Sequence, residues 1–192
     1  MSEPKIGRVL VASLHQAIHD LMPTRGEFYE DWLSPRRIRQ GKVGRARVAG
    51  AISFLREEGE CYSAVVDRAG RYAVDWTVGD LAPVERLMLR RLPRSLRVRG
   101  ILRASARLIR NLHEVAQLDF TVRHGAGVVR LDGSLFCDVR EPPGRPLCGF
   151  YGGLLKRYFE FFDVSCDVQI SRCRGTGESS CELLFDTNHS DS

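Results

Sequence analysis

Apolar residues recur at helical spacing from Arg8 to Met22, where Leu10, Leu14, Ile18 and Leu21 repeat every three or four positions and Pro23 follows as a stop. Thr24 and Glu27 then make a capping-box pattern that opens a short second helix, with Phe28 and Trp32 on one face and Tyr29 and Leu33 on the adjoining one. The turn-rich run SPRRIRQGKVG separates this from a longer helix over 45–57, and a further helix covers roughly 61–76. From Pro83 onward the composition is again helical, but Pro93 and Gly100 interrupt it, which predicts two helices with a joint.

After His113 the period changes. QLDFTVRH, GAGVVRL and SLFCDVRE alternate apolar and polar residues, and the Leu131-Asp132-Gly133-Ser134 stretch supplies an aspartate-glycine hairpin signal, so an antiparallel meander is expected. A helix over 147–162 follows, with Pro146 at its start and Phe150, Leu154, Leu155, Tyr158, Phe161 and Phe162 along it. Two strands, SCDVQISRC and SCELLFD, close the chain around a glycine turn. The plan is α+β, with N-terminal helices packed on a C-terminal antiparallel sheet and one helix inserted before the last hairpin. We expect a single domain over 1–192, mainly helical in 1–113 and sheet-bearing in 114–186, with HSDS as a frayed tail.

Composition narrows the class. The chain has 192 residues, 43% hydrophobic and 28% charged, as expected of an ordinary globular protein with one well-filled core. His15, Gln16, His19 and Asp20 stand where a secretory signal would need its apolar centre, and no later run approaches a bilayer span, so a cytoplasmic protein without a transmembrane segment is expected. In a reducing cytosol the six cysteines (61, 137, 148, 166, 173 and 181) are read as buried, metal-bound or reactive instead of disulfide-bonded.

The net charge of +5 is concentrated, because nine arginines and no acid lie between Arg86 and Arg110. Leucines among them imply amphipathic helices whose basic face is either solvated or meets an acidic protein, lipid headgroups or an anionic ligand. No aromatic residues interleave with these arginines and no DNA-binding motif is present, so nucleic acid is disfavoured. Arg90, Arg94, Arg97 and Arg103 are the candidate surface for a partner protein or a second copy of the chain.

The cysteines are the main candidate chemistry. Cys148 begins a helix, Cys173 ends a strand and Cys181 begins the next, so the last hairpin would hold two of them near each other. Such a thiolate cluster suits tetrahedral zinc, but cysteine is also among the most buried residue types, and spacing alone leaves both readings open.

The segment 147–185 resembles the 4-vinyl reductase domain family, through C-G-F-Y-G-G-L-L at Cys148, R-C-R-G-T-G at Cys173 and S-C-E-L-L-F at Cys181. The resemblance implies a fold related to haem nitric-oxide-binding domains and to subunits of the vesicle-tethering transport particle, and it implies binding of small hydrophobic molecules. Members look like sensors in aromatic-responsive transcription activators or accessory proteins in bacteriochlorophyll synthesis. It further implies one structural zinc held by Cys148, Cys173, Cys181 and a glutamate three residues before the middle cysteine. That position is Ile170 here, so the fourth donor is open among Glu178, Glu182, Cys166 and water.

Other chemistry is weaker. His15 and His19 are four apart on a helix but have no evident third donor. His113 lies where a haem-binding relative would place its proximal ligand, yet the tyrosine-x-serine-x-arginine signature is absent, and haem is not expected. There is no G-x-S-x-G elbow, Walker loop or dinucleotide fingerprint, since GTGESS leads into a strand, so neither an enzyme nor a nucleotide binder is indicated. The aromatic residues Trp32, Phe54, Tyr62, Tyr72 and Trp76 are the candidate wall of a hydrophobic ligand pocket. The reading is a small-molecule binder that signals by docking to protein; the alternatives are an interaction scaffold and a pigment-synthesis accessory protein or reductase.

Overall fold

The computed structural model describes residues 6–40 and 44–188; the HSDS tail lies outside the described residues. Helix α1 (Arg8–Leu21) buries Leu10, Leu14 and Ile18 and stops ahead of Pro23. The expected Thr24–Glu27 box does not form. Instead Pro23–Arg25 is a 3-10 turn, because proline presets its first dihedral, and the chain runs on into α2 (Gly26–Glu30) without a side-chain cap. The turn-rich run that follows contains a short helix, α3 (Pro35–Arg39), again with proline at its first position.

Helices α4 (Arg45–Glu57) and α5 (Glu60–Thr77) match the periodicity closely and are divided at Gly59, whose φ of +64° only glycine adopts readily. Helices α6 (Pro83–Arg91) and α7 (Arg94–Leu112) break at Leu92–Pro93. Gly100, expected at the joint, lies inside α7. Its role is packing: a Cβ there would sit 2.3 Å from Leu89 Cδ2, so the glycine makes the notch that seats α6.

Strands β1 (Gln117–Arg123) and β2 (Ala126–Asp132) form a hairpin that turns at His124 and Gly125, both at positive φ, and not at the Asp132-Gly133 signal. Gly133 instead ends β2 and throws the chain into a 3-10 turn, Leu135–Cys137. The expected third strand, SLFCDVRE, is therefore absent. Leu135, Phe136 and Cys137 are all buried, and three consecutive buried side chains cannot belong to a strand with one solvent face.

Helix α8 (Gly149–Phe161) comes next, capped by Cys148, followed by β3 (Asp167–Arg172) and β4 (Cys181–Asp186). The result is a four-stranded antiparallel sheet in the order β1-β2-β4-β3, with α8 inserted between β2 and β3, confirming the α+β plan. Helix α5 packs on both α1 and α8, while α8 lies on α7 and β3. Among the described residues no helix is long and apolar enough to cross a membrane.

Candidate functional site

Four cysteines converge where the 3-10 turn, the start of α8 and the last hairpin meet. Cys137 closes the turn, Cys148 occupies the N-cap position of α8, Cys173 directly follows β3 and Cys181 opens β4. Their sulfurs all lie within 4.8 Å of one another, and all four residues are buried. Cys137 Sγ is 3.2 Å from Cys148 Sγ and 3.6 Å from Cys173 Sγ, and Cys148 Sγ is 3.2 Å from Cys173 Sγ. All six cysteines of the chain are free thiols.

The three cysteines nominated from the sequence are thus brought together, but the fourth sulfur belongs to Cys137. Glu182 pairs with Arg130 at 3.0 Å, Cys166 Sγ faces the Asp167 carbonyl at 3.5 Å, and Ile170 pairs with Leu183 across the sheet. Glu178 stays on the exposed turn. Cys137 is hidden in the sequence because SLFCDVRE reads as alternating; the signal that could have found it is the unbroken apolar triplet Leu135-Phe136-Cys137.

Backbone amides point at the sulfurs. Leu147 N–H and Gly175 N–H donate to Cys173 Sγ at 3.2 and 3.4 Å, and Arg174 N–H donates to Cys181 Sγ at 3.5 Å. Gly175 is required for this approach, since a Cβ would fall 2.5 Å from the Arg145 carbonyl oxygen. Hydrogen bonds from Cys137 and Cys148 and from these amides hold Cys173 and Cys181 below the usual thiol range. Cys148 is pushed up by Cys137 and Cys173; Cys137 is pulled down by Cys148 but ends raised by Cys173, Cys181 and burial.

The arrangement has the chemistry of a cation site. Tetrahedral zinc with zinc–sulfur bonds of about 2.3 Å spaces its sulfurs about 3.8 Å apart, close to the separations here. Four sulfur donors select zinc or an iron–sulfur centre over harder cations. Among the described residues this is the only group of three or more metal-capable side chains, so the His15–His19 pair, with rings 5.8 Å apart, has no third donor.

A second layer holds the sulfurs in place. Arg56 Nη2 donates to the Phe136 carbonyl at 2.9 Å and reaches those of Leu135 and Asp138 at 3.4 Å, fixing the turn that presents Cys137. Tyr62 Oη donates to the Leu147 carbonyl at 3.0 Å beside Cys148, and Phe136 stacks on Phe150 with centroids 4.8 Å apart. Arg56→Ala is expected to cost about 2 kcal/mol, the range for charged hydrogen bonds to buried carbonyls. It should also speed metal loss to a chelator several-fold, as read by a colorimetric zinc indicator.

The aromatic residues nominated for a pocket do not share one wall. Trp32 and Phe54 meet at 5.2 Å in a surface cluster with Phe28, and Tyr72 stacks on Trp76 at 5.6 Å with its hydroxyl on Asp20. Tyr62 is fully buried. A cleft of about 410 Å³ opens elsewhere, where α1, α5, α7 and α8 approach one another, lined by Val9, Thr77, Ala104, Arg107, Leu108 and Tyr158 among others. Burial raises the Tyr158 hydroxyl to about 12, so it stays a proton donor at neutral pH. Of the nominated arginines, Arg90, Arg94 and Arg103 are exposed, while Arg97 is half-buried with Nη2 on the Leu92 carbonyl at 3.1 Å.

No protein-family model and no curated protein matches the chain. Solved structures do. An H-NOX protein from S. oneidensis aligns with a TM-score of 0.60 and 13% identity over 96% of this chain and 100% of that one, in its Fe(II)NO ligation state. A triply substituted H-NOX protein from the same organism, in the Fe(II) state, gives 0.62 and 14% over 97% and 98%. The phenol-responsive sensory domain of the transcription activator PoxR, with phenol, gives 0.48 and 13% over 72% and 73%. At such identities the H-NOX likeness establishes a shared fold.

Proposed function

We propose that this chain is a small-molecule-binding protein of the 4-vinyl reductase type, with its ligand in the α1–α5–α7–α8 cleft and its C-terminal half fastened by one zinc on Cys137, Cys148, Cys173 and Cys181. The observation that carries this reading is that three of the four converging sulfurs are those of the C-terminal motif. Zinc bound there would be structural: with four protein ligands it has no open position for chemistry, and it would neutralise thiolates that are costly to bury alone.

The cleft suits a ligand with an apolar body and a polar end. Val9, Leu108 and Tyr158 supply contact area, while Asn111 and the Arg107–Glu85 ion pair supply the polar side. Haem, which the H-NOX fold brings to mind, does not fit the residues present. No histidine lines the cleft, and His113 is buried elsewhere, with its pKa lowered by desolvation and by Arg45. Backbone contacts at Gly70 and Gly153 close α5 directly against α8, so no planar group fits between those two helices at that level.

The test is native mass spectrometry of freshly purified, reduced protein kept free of chelator. Wild type is expected to exceed the bare chain by one zinc and one small molecule. Ala82→Trp, a substitution at the exposed mouth of the cleft, should lose the small molecule by at least tenfold in occupancy and keep the zinc. Wild type at the mass of the zinc-loaded chain alone would remove the ligand claim.

A further inference from the structure

The elbow between α6 and α7 carries an unpartnered face unrelated to the metal centre. Helix α6 attaches to the body through Leu89, which is 5% exposed and seated in the Gly100 notch. On the opposite side of the same helix, Val84, Leu87 and Met88 are 66%, 49% and 64% exposed, and Leu96 in the first turn of α7 is 51% exposed. At 100° per residue Val84, Leu87 and Met88 share one outward stripe, with Arg91 in its middle. An apolar stripe turned away from the core of a stably folded protein marks a contact site.

Arginines accompany it. Arg91 lies within the stripe, Arg90 flanks it on one side and exposed Arg94 opens α7 just beyond the elbow, while Arg99 and Arg103 line the α6–α7 groove on the Leu89 side. Glu85 is bonded to Arg107, and among the described residues no salt bridge joins Arg86, Arg91, Arg94, Arg99 or Arg103 to a carboxylate. Arg90 lies over the Phe161 ring at 5.4 Å and donates to the Phe161 carbonyl at 3.5 Å, and among the described residues no salt bridge joins it to a carboxylate.

We propose that this face docks on an anionic lipid bilayer, with Val84, Leu87 and Met88 inserted at the headgroup boundary and the arginines on phosphates. Three alternatives fit less well. A second copy would set the same arginines against each other. An acidic helix lying in the neighbouring α6–α7 groove, floored by Leu92, Leu96 and Phe120, would meet Arg99 and Arg103 but leave the outward stripe uncovered. Nucleic acid would pair with the arginines and gain nothing from the leucine and methionine. A flat anionic surface engages both features at once, as amphipathic interfacial helices do. The inference is independent of the cleft and of zinc.

The experiment is co-sedimentation of the full chain as purified with sonicated vesicles of phosphatidylcholine alone or with about 30% phosphatidylglycerol, where each arginine near the surface contributes about fivefold to partition. Wild type is expected to bind the anionic vesicles, to ignore the neutral ones and to release as salt rises and the screening length falls below about 8 Å. Arg91→Glu/Arg94→Glu should lower partition at least about twenty-five-fold by the same per-charge figure. Leu87→Ser/Met88→Ser should lower it about tenfold through lost apolar burial. All four sites are exposed, so circular dichroism and zinc content should not change. Absence of binding to anionic vesicles at low salt overturns the proposal, including where an acidic protein is captured instead. Binding that the serine pair leaves unchanged overturns insertion.

Discussion

Cys137→Ser is expected to abolish stoichiometric zinc as completely as Cys173→Ser does, while Cys166→Ser retains one zinc per chain. The reason is geometric: Cys137 Sγ lies 3.2 and 3.6 Å from two of the motif cysteines, whereas Cys166 faces its neighbour's carbonyl. Losing the metal leaves buried sulfurs whose pKa values were driven apart by one another, and it removes the cross-link between the turn, the helix start and the hairpin, which the Arg56 and Tyr62 hydrogen bonds and the Phe136–Phe150 stack then hold without it.

Structural zinc contributes about 10–16 kcal/mol of apparent binding energy in peptides that fold only around it. This chain has a large core of its own, so a smaller share falls on stability. We expect a loss of about 4 kcal/mol, which for a protein of this size lowers Tm by about 8–16 °C. A serine hydroxyl left buried and unpaired costs about 1–3 kcal/mol by itself. Chelator treatment of wild type separates the two contributions, since it should reproduce most of the drop with no residue changed. A Cys137→Ser protein with one zinc and wild-type Tm would show that the fourth donor lies elsewhere; Cys173→Ser with zinc would end the metal claim.

How legible this is in the sequence depends on the range of each interaction. Helices α4, α5 and α8 are readable because period and caps are local, and the α+β order follows from where the period changes. The 3-10 turn at Leu135–Cys137 is not, because Phe136 is packed on Phe150 and Tyr151 of α8 and Cys137 on Cys148 and Cys173, contacts that alternation cannot encode. The fourth cysteine is hidden for the same reason. Gly100 reads as a break because a glycine that receives Leu89 and one that ends a helix look alike in one dimension. Helical spacing groups the aromatic residues together, but in the fold Trp32 pairs with Phe54 and Tyr72 with Trp76, and none of them lines the 410 Å³ cleft, whose residues are too ordinary to single out in a sequence.

Gly70→Ala and Gly153→Ala are expected to destabilise the protein by about 4 kcal/mol each, at the upper end of what single added methyl groups do. A Cβ at Gly70 would lie 2.0 Å from the Phe150 carbonyl oxygen and 2.8 Å from Leu154 N, and one at Gly153 would lie 2.3 Å from the Asp67 carbonyl oxygen. These obstacles are backbone, so no side-chain rotation relieves them, and α5 and α8 must part. Gly152, next to Gly153 in the same motif, is the internal control. Its added Cβ would meet only Leu183 Cδ2 at 3.8 Å, an ordinary contact, and alanine is favoured over glycine in a helix by about 1 kcal/mol, so Gly152→Ala should be neutral or stabilising. Chemical denaturation of the three variants reads the contrast directly. The effect should also reach the metal, because α8 carries Cys148 at its cap and α5 carries the Tyr62 that bonds the Leu147 carbonyl. Moving the helices apart withdraws one sulfur from the other three, so Gly70→Ala should lose zinc to a chelator faster than wild type while Gly152→Ala does not. If Gly70→Ala and Gly153→Ala stay within about 1 kcal/mol of wild type, small beside the usual cost of overpacking, the close α5–α8 contact is not what sets the position of Cys148, and the cluster must be held from the hairpin side alone.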